Sequence, residues 1–414
     1  MKTTLSSPLK LGLLASLYFS QGLPYGFFTQ TLPVLLRNQG LSLINIGLST
    51  LLLSPWALKF LWAPLMDRYG SERLGRRRGY ILPLQLLSAA LLLSLGWFET
   101  GAQLAALLVP VLLINLLSAT QDVATDGLAV DLLTTAERGW GNGVQVAAYR
   151  VGMILGGGLM LPLFDRLGWS PTLLSLGALL LVATVPVALF REPLSPAPPS
   201  TKLGPWMRAA FINWVERPGA YRWILLLILY KAGEHMATGM LRTFLVDSKL
   251  GLTEVGWMLG GVGFTAGLVG ALAGGALINR LGRRRALLTF GVLQAATVLL
   301  YALAAATQPS LPVLTLICGI EHLAGGMATA TLFTLMMEAC RPEHAASDYT
   351  VQASIVVWAS LLSAAVSGFS AQALGYAAHF ALSAALCAVA VVYAALTFHP
   401  PRSPSSGSPL EVSS

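Results

Sequence analysis

Two carboxylates stand four residues apart inside one long apolar run of the sequence. Asp122 and Asp126 occupy this run, and the next apolar run contains Arg150. Residues four apart share one face of a helix, and two neighbouring carboxylates beside one base cannot both ionise cheaply. We therefore expect Asp122 or Asp126 to bind and release a proton. The alternative is a static pair with Arg150 that only ties two helices together.

A second group of titratable side chains lies further along the chain. Lys231, Glu234 and His235 are spaced to share one helix face, and Glu321 and His322 stand together in a later apolar run. Because histidine titrates near neutral pH, a Glu–His pair can shuttle a proton. We expect at least one of these acids and histidines to contact a substrate or a proton. The alternative is interhelical hydrogen bonding that fixes packing.

Polar and aromatic side chains in the first apolar run are suited to the wall of a binding cavity. Tyr18, Gln21 and Tyr25 recur at spacings of three and four. The Gly22-Leu23-Pro24 segment between them is expected to break the helix and to free backbone groups. Such a wall suits a bulky, partly aromatic ligand, with packing as the alternative. The further wall residues that we expect are Gln121, Gln145, Tyr149, Lys231, Gln352 and Trp358.

The overall composition excludes most classes of soluble protein. Only 11% of the 414 residues are charged and 55% are hydrophobic, whereas a soluble domain carries about 25% charged residues. The formal net charge of +8 does not indicate nucleic-acid binding, because Lys and Arg lie between apolar runs rather than on one surface.

Catalytic and metal-binding patterns are missing from the sequence. The three cysteines stand apart from one another and no Cys/His cluster occurs, so we expect neither a metal site nor a disulfide. There is no Gly-Lys-Ser/Thr run for a nucleotide phosphate, and no nucleophile stands at a suitable spacing from a base. We therefore expect a protein that is not an enzyme and that has no cofactor.

Twelve apolar runs are long enough to cross a bilayer, which takes about 20 residues as a helix. We number them spans 1 to 12; they are residues 11–36, 42–65, 79–97, 102–131, 141–164, 171–190, 221–246, 252–278, 286–306, 311–338, 347–373 and 375–397. If the N-terminus is cytoplasmic, most of the 26 Lys and Arg residues fall in inner loops, as the positive-inside rule requires. We expect a multi-pass protein of the bacterial inner membrane with both termini in the cytoplasm.

Charged residues inside the spans are few and balanced in sign. A charge near the bilayer centre costs at least about 2.5–3.5 kcal/mol on insertion scales, so these side chains should pair or face a watery cavity. The bases are Lys59, Arg150, Lys231 and Arg242, and the acids are Asp122, Asp126, Glu234 and Glu321.

The two halves of the chain look like copies of one another. Asp67-Arg68 precedes a Gly-Arg-Arg-Arg run after span 2, and Asn279-Arg280 precedes the same run after span 8. Asp131 and Gln145 are separated by 14 residues (145 − 131), as are Glu338 and Gln352 (352 − 338). Parallel repeats of this kind occur in secondary transporters that bind substrate near the membrane midplane. The expected domains are a six-helix bundle at 1–190, a cytoplasmic linker at 191–220, a second six-helix bundle at 221–398 and a disordered tail at 399–414.

The loops after spans 2 and 8 resemble the signature loop of the major facilitator superfamily, and the first half resembles its AmpG-like branch. The matching residues are Gly22-Leu23-Pro24, Lys59 to Tyr69, Gly75 to Gly79, Gln121-Asp122 with Asp126, Glu137-Arg138-Gly139 and Tyr149 to Met153. The resemblance implies an all-α membrane protein with twelve transmembrane helices in two pseudo-symmetric halves. It also implies a cavity lined by spans 1, 4, 7 and 10.

Gating roles at the cytoplasmic ends of the helices follow from the same resemblance. The residues concerned are Asp67, Arg68, Arg76, Arg77, Glu137, Arg138, Asn279, Arg280 and Arg283. The alternative is ordinary positive-inside topology, which explains the arginines but not Asp67.

The expected function is secondary active transport by alternating access, as a proton symporter and a monomer. Muropeptide permeases of the AmpG-like branch tend to be longer than this chain. The length and the segment Gln21 to Phe28 resemble siderophore-uptake permeases of the RhtX/FptX kind. We therefore expect import of a siderophore such as a pyochelin-type iron chelate, with anhydro-muropeptides from cell-wall recycling as the alternative. The partners are then the small-molecule substrate, protons and the lipid bilayer, and no nucleic acid.

Overall fold

The computed structural model describes residues 6–32, 50–71, 73–97, 104–192 and 202–398. Nearly all of these residues are helical, and within these ranges the only β pairing is an isolated bridge between Ser71 and Gly75. An apolar segment in lipid must satisfy its backbone hydrogen bonds internally, which favours helices. The beginning of span 2, part of the linker and the tail 399–414 lie outside the described residues.

Helices of the first half, which we call the N half, follow spans 1 to 6. Their bounds are Ser7–Gly26, a π-helical turn Phe27–Thr31, 3-10 turns Thr50–Leu53 and Lys59–Leu61, Ser54–Leu58, Ala63–Arg68, Arg78–Leu95, Leu104–Leu132, Arg138–Met153, a π-helical turn Ile154–Leu159, Met160–Leu167 and Trp169–Leu189.

Helices of the second half, which we call the C half, follow spans 7 to 12 after a linker helix at Leu203–Val215. Their bounds are Ala220–Asp247, Leu252–Gly256, a π-helical turn Trp257–Gly263, Phe264–Leu281, Arg283–Thr307, Leu311–Glu338, a 3-10 turn Pro342–His344 and Ala345–Thr397. The last helix contains spans 11 and 12, which are separated at Gly375 by a non-helical backbone with φ of 75°.

Eight helices of the described part are long and apolar enough to cross a membrane. They cover span 3 and spans 5 to 12, the last helix holding two of these. Span 1 is continued by a π-helical turn, and the helix of span 4 begins at the edge of a described range. The all-α membrane fold that the sequence predicts is therefore observed.

Three buried apolar clusters show where the two halves meet. One cluster contains only N-half residues, including Leu23 and Phe27, and another contains only C-half residues, including Phe244 and Phe380. A third cluster draws on both halves and joins Leu14 and other N-half residues to residues of spans 7 to 12. Within the described residues, the cluster common to both halves lies at one end of the helices, and the two clusters at the other end each belong to one half. We call the joined end, formed by residues 64–71, 73–77, 131–145, 271–283 and 337–349, the inner seam.

Spans 5 and 8 cross closely at the inner seam. A Cβ atom added to Gly275 would lie 3.1 Å from the Cα atom of Gly143 and would overlap the carbonyl oxygen of Gly139. Small residues let two helix backbones approach in this way, so the glycines bring the N half against the C half.

The linker helix Leu203–Val215 lies across the same seam. The buried indole of Trp206 donates a hydrogen bond to the carbonyl oxygen of Pro64 at 2.9 Å and packs 4.3 Å from the ring of His344. Arg341 donates to the carbonyl oxygen of Ala209 at 3.0 Å. The linker helix therefore contacts both halves beside the end of span 2.

Span 1 is not broken at Gly22-Leu23-Pro24, contrary to the expectation from the sequence. The helix Ser7–Gly26 runs through Pro24, and Gly22 instead allows span 5 to approach. A Cβ atom at Gly22 would lie 3.0 Å from the Cα atom of Gly152 and would overlap the carbonyl oxygen of Tyr149.

We expect Gly22→Ala to destabilise the protein by about 1–3 kcal/mol, the usual cost of overpacking a close contact. Thermal unfolding of the purified protein in detergent measures the effect. Gly12→Ala is the matched control, because a Cβ atom there meets nothing within 4 Å. Equal unfolding temperatures for the two variants would contradict the close contact.

Candidate functional site

A cavity of about 390 Å³ lies between the two halves, beyond the inner seam. Its lining residues come from spans 1, 2, 4, 5, 10 and 11, and they are Tyr18, Tyr25, Trp56, Lys59, Asp122, Asp126, Gln145, Val146, Tyr149, Arg150, Met153, Thr329, Phe333, Tyr349, Ala353, Val356 and Val357. This size falls within the range of about 300–1,000 Å³ that is usual for small-molecule sites.

The charged centre of the cavity is a network of one lysine and two aspartates. Lys59 forms an ion pair with Asp122, and its Nζ atom lies 3.9 Å from Oδ2 of Asp126. The Tyr18 hydroxyl donates a hydrogen bond to Oδ1 of Asp126 at 2.8 Å. All four side chains are buried. One base thus faces two carboxylates, as the sequence predicts, but the base is a different one.

The expected pair between an aspartate and Arg150 is wrong. Lys59 reaches the two acids from span 2, whereas Arg150 points from span 5 to the other half and lies 5.7 Å from the ring of Phe264. Lys59 was identified from the sequence as an intramembrane base, but it was not identified as the partner of Asp122 and Asp126.

Three aromatic side chains form a wall beside the charged network. The ring of Tyr25 lies 5.3 Å from the ring of Trp56, edge to face, and 5.7 Å from the ring of Tyr149. The indole N–H of Trp56 donates to Oδ1 of Asn115 at 3.1 Å, which fixes the orientation of the ring. Trp56 and Asn115 were not singled out from the sequence.

The expected amide residues divide between the cavity and the helix packing behind it. Gln145 lines the cavity and donates to the Tyr349 hydroxyl at 3.3 Å. Gln121 is buried and donates to the hydroxyl of Ser20 at 3.1 Å, and Gln21 is buried in the same region. Neither Gln121 nor Gln21 lines the cavity.

The two residues expected on span 11 also lie away from the cavity. Gln352 is buried, accepts a hydrogen bond from the Trp223 indole at 2.7 Å and donates to the carbonyl oxygen of Met336 at 3.1 Å. It therefore ties spans 7, 10 and 11 together. Trp358 is 46% exposed and does not line the cavity.

The second titratable group forms a cluster inside the C half. Lys231 pairs with Glu234 and donates to the Thr329 hydroxyl at 3.0 Å. Glu321 contacts His322 at 2.8 Å between Oε2 and Nδ1. None of the charged residues or histidines of this cluster lines the cavity, and this includes Lys231 and the partly buried His235. Thr329 lines the cavity and also accepts the hydrogen bond from Lys231.

Asp67 makes the central contact of the inner seam. Its carboxylate accepts hydrogen bonds from the backbone N–H groups of Ala346 at 3.2 Å and Ser347 at 2.7 Å, at the start of the last helix of the C half. It also forms an ion pair with the buried Arg77 at 2.7 Å. Burial would raise the pKa of Asp67, but Arg77 and Ser347 outweigh it and hold the pKa below its ordinary value. An N-half carboxylate therefore caps a C-half helix.

The C half supplies a related contact at the end of span 8. Asn279 donates to the carbonyl oxygen of Ala136 at 2.7 Å, and Arg283 donates to that of Thr135 at 2.8 Å. Arg283 is itself paired with Glu338 at 2.7 Å, as Arg77 is with Asp131 at 3.0 Å. The repeat found in the sequence thus corresponds to similar contacts at both sides of the seam.

The other residues expected at the gate play more local parts. Arg76 pairs with Asp67 at 3.8 Å. Glu137 bonds within the N half to Lys10 at 2.8 Å and to Ser7 at 2.5 Å. Its slight burial opposes the effect, but these contacts and the hydrogen bonds from Thr134 lower the pKa of Glu137 to about 2.

Three further arginines were expected at the gate, and they are Arg68, Arg138 and Arg280. Arg68 lies 5.5 Å from the ring of Tyr69. Arg138 is partly buried at the start of span 5, and Arg280 is exposed. The contacts across the seam that the structure shows for the expected gate residues are those of Asp67, Asn279 and Arg283.

Comparison with known proteins points in one direction. A family model described as the Major Facilitator Superfamily matches residues 14–351 and residues 223–413. The chain is 33% identical over 375 residues to the anhydromuropeptide permease of Escherichia coli (strain K12), which covers 90% of this chain and 76% of that protein. It is 31% identical over 398 residues to an uncharacterized protein of Haemophilus influenzae, which covers 92% and 93% of the two chains.

A solved structure shows the same fold. The human organic anion transporter MFSD10 superposes with a TM-score of 0.73 at 18% identity, covering 94% of this chain and 100% of that chain.

We expect Lys59→Gln to destabilise the protein by about 3–5 kcal/mol, because it leaves two buried carboxylates without their base. Adding Asp122→Asn should recover much of this loss. A double-mutant cycle on the free energy of unfolding measures the coupling. The control cycle pairs Arg150→Gln with Asp122→Asn, and its effects should be additive. If the Arg150 and Asp122 effects are coupled and those of Lys59 and Asp122 are additive, Arg150 is the partner of Asp122 and our assignment is wrong.

We expect Asp67→Asn to open the inner seam, because charge-assisted hydrogen bonds to a C-half helix are lost. Alkylation of the partly buried Cys340 should accelerate roughly tenfold or more in a variant in which the buried Cys318 and Cys387 are alanine. Asp165→Asn, at an exposed position, is the control. An unchanged rate in Asp67→Asn would mean that Asp67 does not hold the seam closed.

The pKa of Asp67 also predicts how the seam responds to pH. Its folded pKa is lowered, so its stabilising contribution is present above the ordinary Asp pKa of about 4 and is lost only as the pH falls through the lowered value. Cys340 alkylation, corrected for the thiolate fraction, should therefore show no opening of the seam between pH 8 and pH 5. Opening within that window would contradict the assignment.

Proposed function

The chain belongs to the major facilitator superfamily, in its AmpG-like branch, and we propose that it imports anhydromuropeptides into the cytoplasm together with protons. The transporter class follows from the family. The observation that carries the choice of cargo is the likeness to the Escherichia coli permease over 90% of this chain. Direction, proton coupling, the monomeric state and the cytoplasmic position of both termini are parts of the proposal.

The two kinds of surface in the cavity suit the two parts of a muropeptide. Tyr25, Trp56 and Tyr149 present aromatic faces and edges, and such surfaces pack well against the apolar face of a sugar ring while their polar tips reach hydroxyl groups. The charged residues of the cavity suit the ammonium and carboxylate groups of the peptide. A small aromatic chelate would use the first surface and leave the second without a partner.

The proton site of the proposal is the carboxylate pair. Lys59 neutralises Asp122 directly and is farther from Asp126, at 3.9 Å. Two carboxylates that share one base are most stable with a proton on one of them. Asp126 is the better proton carrier of the two, because it is 2% exposed against 7% for Asp122 and lies farther from the Lys59 ammonium group.

Alternating access then requires the inner seam to open. The halves are packed together at the end that carries the Gly-Arg-Arg-Arg loops, and the apolar clusters at the other end are separate. Because the basic loops belong on the cytoplasmic side, this arrangement corresponds to a carrier whose cavity is closed toward the cytoplasm.

Uptake into cells that lack other muropeptide permeases tests the proposal. Expression of the chain should give accumulation of radiolabelled N-acetylglucosaminyl-anhydro-N-acetylmuramyl tripeptide, and a protonophore should abolish it. Labelled ferric siderophore is the matched cargo control and should show no dependence on the gene. Dependence of the siderophore alone would reject the proposed cargo, and accumulation that survives the protonophore would reject proton coupling.

A further inference from the structure

Arg150 differs from the other charged residues of the cavity wall. Those residues are Lys59, Asp122, Asp126 and Arg150, and the first three form one network. Within the described ranges, no carboxylate lies within 4.0 Å of the Arg150 guanidinium. Its side chain is partly exposed to the cavity, so a positive charge faces the ligand space without an ion-pair partner.

The guanidinium of Arg150 lies in a space beside Phe264 and Gly267 of the C half, which we call its seat. It lies 5.7 Å from the ring of Phe264 on span 8, a cation–π contact. A Cβ atom added to Gly267 would overlap Nη1 of Arg150. The missing side chain of Gly267 therefore makes the space in which Arg150 lies. The N-half guanidinium is therefore placed against the C half.

The nearest acids of the C half are already engaged. Glu234 pairs with Lys231, and Glu321 contacts His322 at 2.8 Å. Neither acid comes within 4.0 Å of the Arg150 guanidinium in the described part of the chain. These two acids therefore leave the N–H groups of Arg150 for another acceptor at the boundary of the halves.

We propose that Arg150 binds a carboxylate of the transported ligand, which on the proposed function is a carboxylate of the muropeptide peptide. A guanidinium has a planar fork of N–H groups that matches a carboxylate in two parallel hydrogen bonds. The sugar then lies against Tyr25, Trp56 and Tyr149, and the peptide carboxylate lies where spans 5 and 8 meet. Binding of the ligand thereby links the two halves through Arg150 and its seat.

Competition in proteoliposomes tests this assignment. The full chain is reconstituted, and uptake of the labelled disaccharide tripeptide is inhibited with the same unlabelled compound or with an analogue whose peptide carboxylates are all amidated. The unmodified protein should prefer the carboxylate form by roughly 10- to 100-fold, the effect of a hydrogen-bonded charge. Arg150→Gln should bind the two forms equally and should keep its affinity for the amide, which shows that it is folded.

Three more variants separate the geometry from the charge. Arg150→Lys keeps the charge without the fork and should retain part of the preference. Gly267→Ala keeps the arginine but fills its seat, and it should reduce the preference. Arg242→Gln removes an exposed base of span 7 that is outside the cavity, and it should leave the preference unchanged.

The outcomes distinguish this assignment from the proposed function. A full preference for the carboxylate in Arg150→Gln, or no preference in the unmodified protein, overturns the role of Arg150 while muropeptide uptake stands. If the unmodified protein transports neither compound, the proposed cargo and the role of Arg150 both fall. If Arg150→Gln binds neither form, Gly267→Ala decides, and an unchanged preference there overturns the assignment.

Discussion

A charge inside a bilayer needs an opposite charge or water, and the cavity of this protein is arranged around that requirement. Lys59 cannot be moved from Asp122 and Asp126 without leaving buried carboxylates unpaired. The same requirement makes the network sensitive to a single proton, because the pair of acids carries one negative charge more than its base neutralises. In the proposed function, binding and release of that proton change the charge of the cavity wall, which is the property that a symporter needs.

The inner seam adds the second element of a carrier, a contact that can be made and broken as a unit. Asp67 caps a helix of the opposite half, Asn279 and Arg283 bind carbonyl groups across the seam, and the linker helix contacts both halves through Trp206. The glycines of spans 5 and 8 bring the backbones together between these contacts. The cavity and the seam lie along the same helices, so a ligand that draws Arg150 and span 8 together acts on the interface that the seam also controls.

Part of this organisation could be predicted from the sequence because it depends on one-dimensional patterns. The length of apolar runs predicts the helices, and a spacing of four places Asp122 and Asp126 on one face. The choice of Lys59 over Arg150 could not be predicted, since both bases have a suitable depth and only the lateral order of the helices decides which one reaches span 4. The positions of Gln352 and Trp358 likewise depend on how span 11 is rotated. Gly22 was expected to break a helix, but it instead lets span 5 pack closely against span 1. A contact between two distant segments cannot be recognised from a local sequence pattern.

The most direct test of the account is a simultaneous measurement of proton and muropeptide fluxes in proteoliposomes that contain the full chain and a pH-sensitive dye. An imposed gradient of the disaccharide tripeptide should drive protons in the same direction. In Asp126→Asn, exchange of labelled for unlabelled muropeptide should continue while the proton flux disappears, because the substrate site is intact and the proton carrier is absent. A proton flux that persists in Asp126→Asn, or muropeptide movement without any proton flux in the unmodified protein, would contradict the central claim.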